Sequence, residues 1–420
     1  MRPLPSRPLA AFTICARNYL AYALTLRSSL KAVAPHVPFF IFLADEGLPD
    51  TGEHAVADEI RDRTITLEAL ALPDARDMAF RYTVLELATA IKPFCFKHVF
   101  DRLGFDRAVY FDPDIRMFAW PGEVDAALDE GAACALTPHI CTPYTDNARP
   151  GIADLLQSGT FNLGFAAFAN VPEARRFLDW WGERLVTGCL VDLAQGLFVD
   201  QRYVDLAPSF MASLRILRSK GLNVAYWNLH ERPVTCTQGQ WRAAGEPLSF
   251  FHFSGVVPGN PAVFSKHQDR FDINSAGEAG ALVSLYLEEL SAHGHETWSK
   301  VPYGFARYRD GSPIPPPARR RPFRPGSDPF AAYDHAYWEA PSDRIDPCGA
   351  RRFTRMMEAI HSGRPDLQAA FPLATRRGRA AFLDWFDAHG ARELNLPAAR
   401  SSLWARLRLA ARRRVPGLRP

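Results

Sequence analysis

Val109-Tyr110-Phe111-Asp112-Pro113-Asp114 is the stretch from which the rest of the chain is read. An apolar run beginning at Arg107 reads as a strand, and it delivers two carboxylates, two residues apart, into a turn. Hard divalent cations prefer carboxylate oxygen, and Mg²⁺ often shares its shell between one or two carboxylates and substrate phosphates. A cation held there would offset charge developing on a diphosphate. Asp-Pro-Asp is also good turn chemistry, so the triplet alone leaves a metal site and an ordinary turn both open.

Working outward, apolar runs alternate with amphipathic stretches. Residues 10–16 read as a buried strand, and Asn18 caps a helix in which Leu20, Ala23, Leu24, Arg27 and Leu30 recur at helical spacing until Pro35. Residues 39–43 are a second strand and 64–67 a short third, with a helix over 55–61 between them. A helix is expected over 77–90, and Lys92-Pro93 opens another that stops at Gly104. After the triplet, strands are expected at 132–137, 161–168, 223–227 and 248–253, and helices at 172–186, 191–206 and 276–292. This alternation implies an α/β fold with a mixed, mainly parallel sheet flanked by helices. Ligands of such sheets sit beyond the carboxyl ends of the strands, where Asp112 falls.

The chain has 420 residues, with 49 basic and 46 acidic side chains. The resulting charge of +3 lacks the basic footprint of a nucleic-acid binder. Hydrophobic residues make up 47%, enough to bury a sizeable core. No apolar run reaches the ~18 residues of a membrane span. Arg17 and Asn18 interrupt the first apolar stretch, against a secretory leader. Seven scattered cysteines without a CxxC pair fit reduced thiols, so a cytoplasmic location is expected. Residues 1–295 read as the principal domain, and Pro313, Pro315, Pro316, Pro317, Pro322 and Pro325 mark 296–348 as a Pro/Arg-rich arm. Residues 349–399 read as a small helical extension, and 400–420 as a basic tail. Leu403, Trp404, Leu407 and Ala411 lie at helical spacing there, among Arg406, Arg408, Arg412, Arg413 and Arg414. That pattern suits either peripheral contact with an anionic membrane at its inner face or a solvated helix end.

Further pieces fall in order along the chain. They are Thr13 to Leu20, Ala90-Ile91-Lys92-Pro93, Phe161-Asn162-Leu163-Gly164-Phe165, Asp200-Gln201 and His252-Phe253-Ser254-Gly255. Together with Asp112-Pro113-Asp114, this set resembles the nucleotide-sugar-dependent glycosyltransferases of the GT-A Rossmann-like fold, closest to the family 8 group of glycogenin-like and galactosyltransferase-like enzymes. The resemblance spans roughly residues 10–290.

The resemblance implies roles. Cys15, Ala16 and Tyr19 would lie against base and ribose, Lys92 against phosphate, Asn162 and Gly164 against the donor sugar, and Asp200 between sugar and acceptor. Asp112, Asp114 and His252 would hold Mn²⁺ or Mg²⁺. The family has a lysine shortly after the histidine motif; here the next lysine is Lys266, beyond an insertion containing Pro258, Gly259 and Pro261, and either Lys266 or His267 would take its place at the diphosphate. Leu163 stands where a serine is common, which removes one hydroxyl.

The implied activity is metal-dependent transfer of a hexose from a nucleotide diphosphate sugar, expected to be a UDP-sugar, to a glycan or lipid-linked glycan acceptor. Retention of anomeric configuration and a place in surface polysaccharide assembly are expected by analogy. Two other classes compete. A haloacid dehalogenase-type phosphatase also uses Asp-x-Asp, but the place its motif gives to a small residue is taken by Arg116. A non-catalytic nucleotide-sugar-binding protein would keep the site without turnover. Thr137-Pro138-His139 is either acceptor surface or a structural loop, and Trp180-Trp181 reads as core.

Overall fold

The computed structural model describes residues 8–49, 56–320, 327–342 and 353–393. The tail at 400–420, and with it the membrane-contact expectation, lies outside them. The chain divides into two compact units, Met1–Gly304 and Phe305–Pro420.

The first unit is built on a seven-stranded sheet. Its strands are β1 (Leu9–Cys15), β2 (Phe39–Leu43), β3 (Thr64–Thr66), β4 (Arg107–Phe111), β6 (Cys134–Pro138), β7 (Phe161–Ala169) and β10 (Leu214–Ile216), in the order β10-β6-β7-β4-β1-β2-β3. β5 (Ile115–Met117), β8 (Val191–Asp192) and β9 (Leu197–Phe198) lie outside it. Neighbours are parallel except that β7 runs antiparallel to both β4 and β6. This is the mixed, mainly parallel architecture expected of a GT-A Rossmann-like sheet.

All of β2, β4 and β7 is buried, because helices cover both faces. On one face Phe12, Phe96 and Phe168 meet in a chain of edge-to-face contacts, with ring centroids 4.8 Å apart at each step, backed by Trp181 of the helix Pro172–Gly188. On the other, Phe111, Phe165 and Phe250 cluster within one core with the helix Leu20–Val33. The pleat decides which residues go where: Phe111 joins the second face, so Tyr110 and Asp112 belong to the first.

Four local expectations are corrected. Residues 77–90 are two helices, Ala75–Arg81 and Val84–Ala90. Thr83 and Glu86 form a capping box that restarts the helix, while Tyr82 turns extended and donates its phenol O–H to Leu185 O. Residues 191–206 are not one helix. β8 and β9 flank a single 3-10 turn at Leu193–Gln195, Gly196 and Val199 are left-handed, and α-helix is confined to Gln201–Val204. Residues 223–227 form no strand; Asn223 is left-handed with φ 50°, and Val224 makes a single bridge to Phe251. The expected strand at 248–253 shortens to β14 (Phe250–His252), paired with β5, which begins one residue after the Asp-Pro-Asp triplet. A meander of β11 (Val234–Thr237), β12 (Gln240–Ala243) and β13 (Glu246–Pro247) precedes β14. Its turns use left-handed pairs at Gln238-Gly239 and Ala244-Gly245, the geometry two-residue hairpins require.

In the second unit, Pro316–Arg319, Pro329–Ala332 and His335–Glu339 are short helices within the stretch read as an arm. Proline opens the first two of them. Arg355–Ser362, Pro365–Ala370 and Arg376–Glu393 follow, with Phe353, Phe371, Phe382 and Trp385 in ring contact. Among the described residues no helix is long and apolar enough to cross a membrane.

Candidate metal centre

Asp112 extends β4 by one step. Its N–H donates to Gly164 O of β7 at 2.7 Å, and its carbonyl accepts from Ile115 N–H at 3.1 Å, closing the turn. β5 then leaves antiparallel to β14, with Ile115 opposite His252. Phe253 N–H donates to Asp114 O and His252 N–H to Val224 O, both at 2.8 Å. This ladder sets the imidazole beside the triplet. His252 Nε2 lies 3.0 Å from Asp114 Oδ1 and 3.6 Å from Asp112 Oδ2, and the three donor atoms lie within 4.8 Å of one another.

Two carboxylates and one imidazole in this space fit a divalent cation such as Mn²⁺. Electrostatics agree. Burial pushes the Asp112 carboxyl up, opposed by Lys92 and His252. Burial also opposes charge on His252, but the Asp114 and Asp112 carboxylates outweigh it and raise the imidazole above its ordinary value. A cation bound among these three groups would compete with protons for the same donor atoms. Gly164 makes room for the ring: a Cβ there would fall 2.3 Å from His252 Cε1 and 2.6 Å from Nδ1.

Behind Asp112 stands a second charge cluster. Tyr110 donates its phenol O–H to Asp112 Oδ1. Lys92, in the first turn of the helix Lys92–Asp101, is 1% exposed. Its Nζ lies 2.7 Å from Asp200 Oδ2, donates to Leu163 O at 2.9 Å and sits 4.3 Å from the Tyr110 ring centre. Burial raises the Asp200 carboxyl, with Lys92 pulling it back. Lys92 and Asp200, given separate contacts in the sequence reading, are thus paired with each other.

A third cluster is uncharged. Asn162 Oδ1 accepts from Gly164 N–H and from Asn223 Nδ2, each at 3.0 Å, and Asn162 Nδ2 donates to His139 Nε2 at 3.2 Å. Asn223 Nδ2 also donates to Thr137 Oγ1 at 3.0 Å. His139 is 6% exposed, and burial pushes its ring down to about 4, so it is neutral.

The remaining predicted residues border this ground. Cys15 and Ala16 are buried at the end of β1, and burial drives the Cys15 thiol far up. Tyr19 is 42% exposed and stacks on Tyr22, its phenol raised first by burial and then by the Asp114 charge. Lys266 is exposed, but its N–H donates to Gly255 O at 2.9 Å. The insertion therefore loops out and returns the lysine beside the histidine motif. Sequence reasoning missed Asn223, whose side chain carries no local signal. At the carboxyl end of β2, Asp45 accepts from the N–H groups of Arg17, Glu46 and Gly304.

No protein-family model matches the chain. It is 25% identical over 254 residues to the uncharacterized protein YfnD of Bacillus subtilis (strain 168), covering 58% of this chain and 77% of that protein. Among solved structures it is similar to the galactosyltransferase LgtC in complex with donor and acceptor sugar analogues, with 13% identity, 70% of this chain, 97% of that chain and a TM-score of 0.42. It is also similar to a glycosyltransferase involved in glycosylation of the major capsid of PBCV-1, with 8% identity, 66% of this chain, 99% of that chain and a TM-score of 0.32.

Proposed function

We propose that the chain is a metal-dependent glycosyltransferase that moves a hexose from a nucleotide diphosphate sugar, a UDP-sugar in this reading, to a glycan or lipid-linked glycan acceptor. The observation that carries this is the convergence of Asp112, Asp114 and His252 beyond the carboxyl end of β4, from segments far apart in sequence. Asp112, Asp114 and His252 would hold Mn²⁺ or Mg²⁺, and the imidazole in the set favours Mn²⁺. When bound, the cation supplies positive charge to the leaving diphosphate.

The chain's own residues do the rest. Tyr19, with Cys15 and Ala16 behind it, offers an aromatic face for the base. Lys266, whose backbone N–H is tied to Gly255 O, would bring a cation to the diphosphate. Lys92 holds its charge close behind Asp112, within the buried pair with Asp200. Asn162 and Asp200 border the sugar and keep its orientation, and Gly164 leaves the space that the His252 ring fills. Retention of anomeric configuration, a role in surface polysaccharide assembly and peripheral membrane contact by the basic tail belong to this proposal.

The test is a nucleotide-sugar hydrolysis screen with Mn²⁺, following nucleoside diphosphate release in the absence of acceptor. Release from one donor, lost on chelation and in Asp114→Ala, is the expected outcome. If no donor is hydrolysed and calorimetry with UDP and Mn²⁺ records no binding, the proposal fails. Binding without turnover would instead favour a nucleotide-sugar-binding protein.

A further inference from the structure

The uncharged cluster has a direction that hydrogen-bond logic fixes. Gly164 N–H is a donor in every protonation state, so the Asn162 atom 3.0 Å from it is the carboxamide oxygen. The same oxygen lies 3.0 Å from a side-chain atom of Asn223, which must then be that residue's NH₂. Asn223 therefore presents its oxygen on the other side, 3.2 Å from His252 Nδ1. An amide oxygen only accepts, so His252 carries a proton on Nδ1. The lone pair left on the neutral ring is on Nε2, the atom 3.0 Å and 3.6 Å from the two aspartates.

We propose that Asn223 is a positioning residue for His252: it locks the imidazole in the Nδ1–H form and so aims Nε2 at the space between Asp112 and Asp114. This rests on the reading of the trio as a metal centre. Burial supports the assignment. Asn223 is 0% exposed and His252 3%, so no water competes for Nδ1. The left-handed backbone of Asn223, φ 50°, is strained for most side chains and is tolerated by asparagine. Thr137 Oγ1, 3.0 Å away, accepts the second amide proton and leaves the NH₂ group satisfied. Metal-ligating histidines depend on such outer partners, whose removal typically weakens metal binding by about 10–100-fold.

The test is Mn²⁺ titration of the full chain by electron paramagnetic resonance, with folding followed by circular dichroism. Asn223→Gly keeps the left-handed backbone accessible and removes the acceptor; it should weaken Mn²⁺ binding by about 10–100-fold. Asn223→Asp restores an acceptor oxygen and should bind more tightly than Asn223→Gly. The discriminating arm is the double variant: with His252→Gln already in place, Asn223→Gly should add almost nothing, because its effect runs through the imidazole.

Wild-type binding by Asn223→Gly overturns the proposal. So does an undiminished effect in the His252→Gln background, which would mark a merely structural role. If wild type itself binds no Mn²⁺, the metal-centre reading falls and this one with it. If wild type binds, His252→Gln weakens binding and Asn223→Gly does not, only this proposal falls. Should Asn223→Gly not fold, histidine ¹⁵N–¹H correlation on the Mg²⁺-loaded wild type decides: a proton on Nδ1 of His252 supports the proposal, and one on Nε2 refutes it.

Discussion

Replacing Gly164 by alanine tests the packing of the centre with a single methyl group. Gly164 lies in the middle of β7, buried on both sides, with ordinary strand geometry, so the backbone accepts alanine without strain. The methyl is what cannot fit. It would fall 2.3 Å from His252 Cε1, 2.6 Å from Nδ1 and 2.8 Å from Asn162 Oδ1, where ordinary contact begins at 3.4 Å. The ring must retreat by about 1 Å, whereas a metal site tolerates only about 0.2 Å in its ligand distances. Two consequences are expected together. Overpacking should destabilise the fold by about 1–3 kcal/mol. Mn²⁺ affinity should fall by at least about tenfold, the lower end of what misorienting a ligand does. Urea unfolding reads the first and paramagnetic-resonance titration the second. Gly164→Ala/His252→Ala should recover part of that stability, because the truncated ring removes the two shortest contacts and leaves the one to Asn162 Oδ1, but not metal binding. A folded Gly164→Ala variant that holds Mn²⁺ as tightly as wild type would refute the reasoning, since Nε2 would then not be held where the structure has it.

Lys92→Met should destabilise by about 3–5 kcal/mol, because it leaves the Asp200 carboxylate buried without its cation; Lys92→Met/Asp200→Leu should regain part of this, and a single variant within ~1 kcal/mol of wild type in urea unfolding would show that the pair is not closed. His139 gives a pH dependence. Its folded value near 4 lies below the ordinary 6.5, so between those limits the unfolded chain binds the extra proton. The stability it contributes is complete above pH 6.5 and falls by about 3 kcal/mol toward pH 4. The difference between wild type and His139→Gln, followed by urea unfolding across that range, should carry this slope, and a flat difference would count against a neutral buried ring. Arg270 donates to Asp146, Ala148 O and Pro150 O and stacks 4.1 Å over Tyr144. Arg270→Ala should speed proteinase K cleavage between residues 142 and 150; an unchanged cleavage rate would show that other contacts hold the loop.

The strands that carry the centre were legible because the sheet is covered on both faces. Each of its buried strands is then an apolar run, and the pattern stands out without knowledge of its neighbours. Alternation along β4 also fixed the side on which Asp112 emerges, once Phe111 was known to face the core. The extended reading at 223–227 and the long helices at 77–90 and 191–206 failed for a common reason. Periodicity counts apolar positions, but Thr83-Glu86 capping, left-handed Gly196 and left-handed Asn223 each redirect the backbone through one or two local hydrogen bonds or dihedrals.

By itself, the sequence determined six of the seven strands of the main sheet, β10 being the exception, the delivery of two carboxylates at the end of β4, and the chemical types available to a cation. The tertiary structure alone decided which of these groups touch. It sealed Lys92 against Asp200 and returned Lys266 to Gly255 across the insertion. It also set a glycine under the His252 ring and gave that ring's Nδ1 to Asn223. These contacts join residues separated by long stretches of chain, and no local spacing encodes them. They exist because β7, β14 and the loop at 223 converge on one point, where burial excludes water and favours partners within the protein.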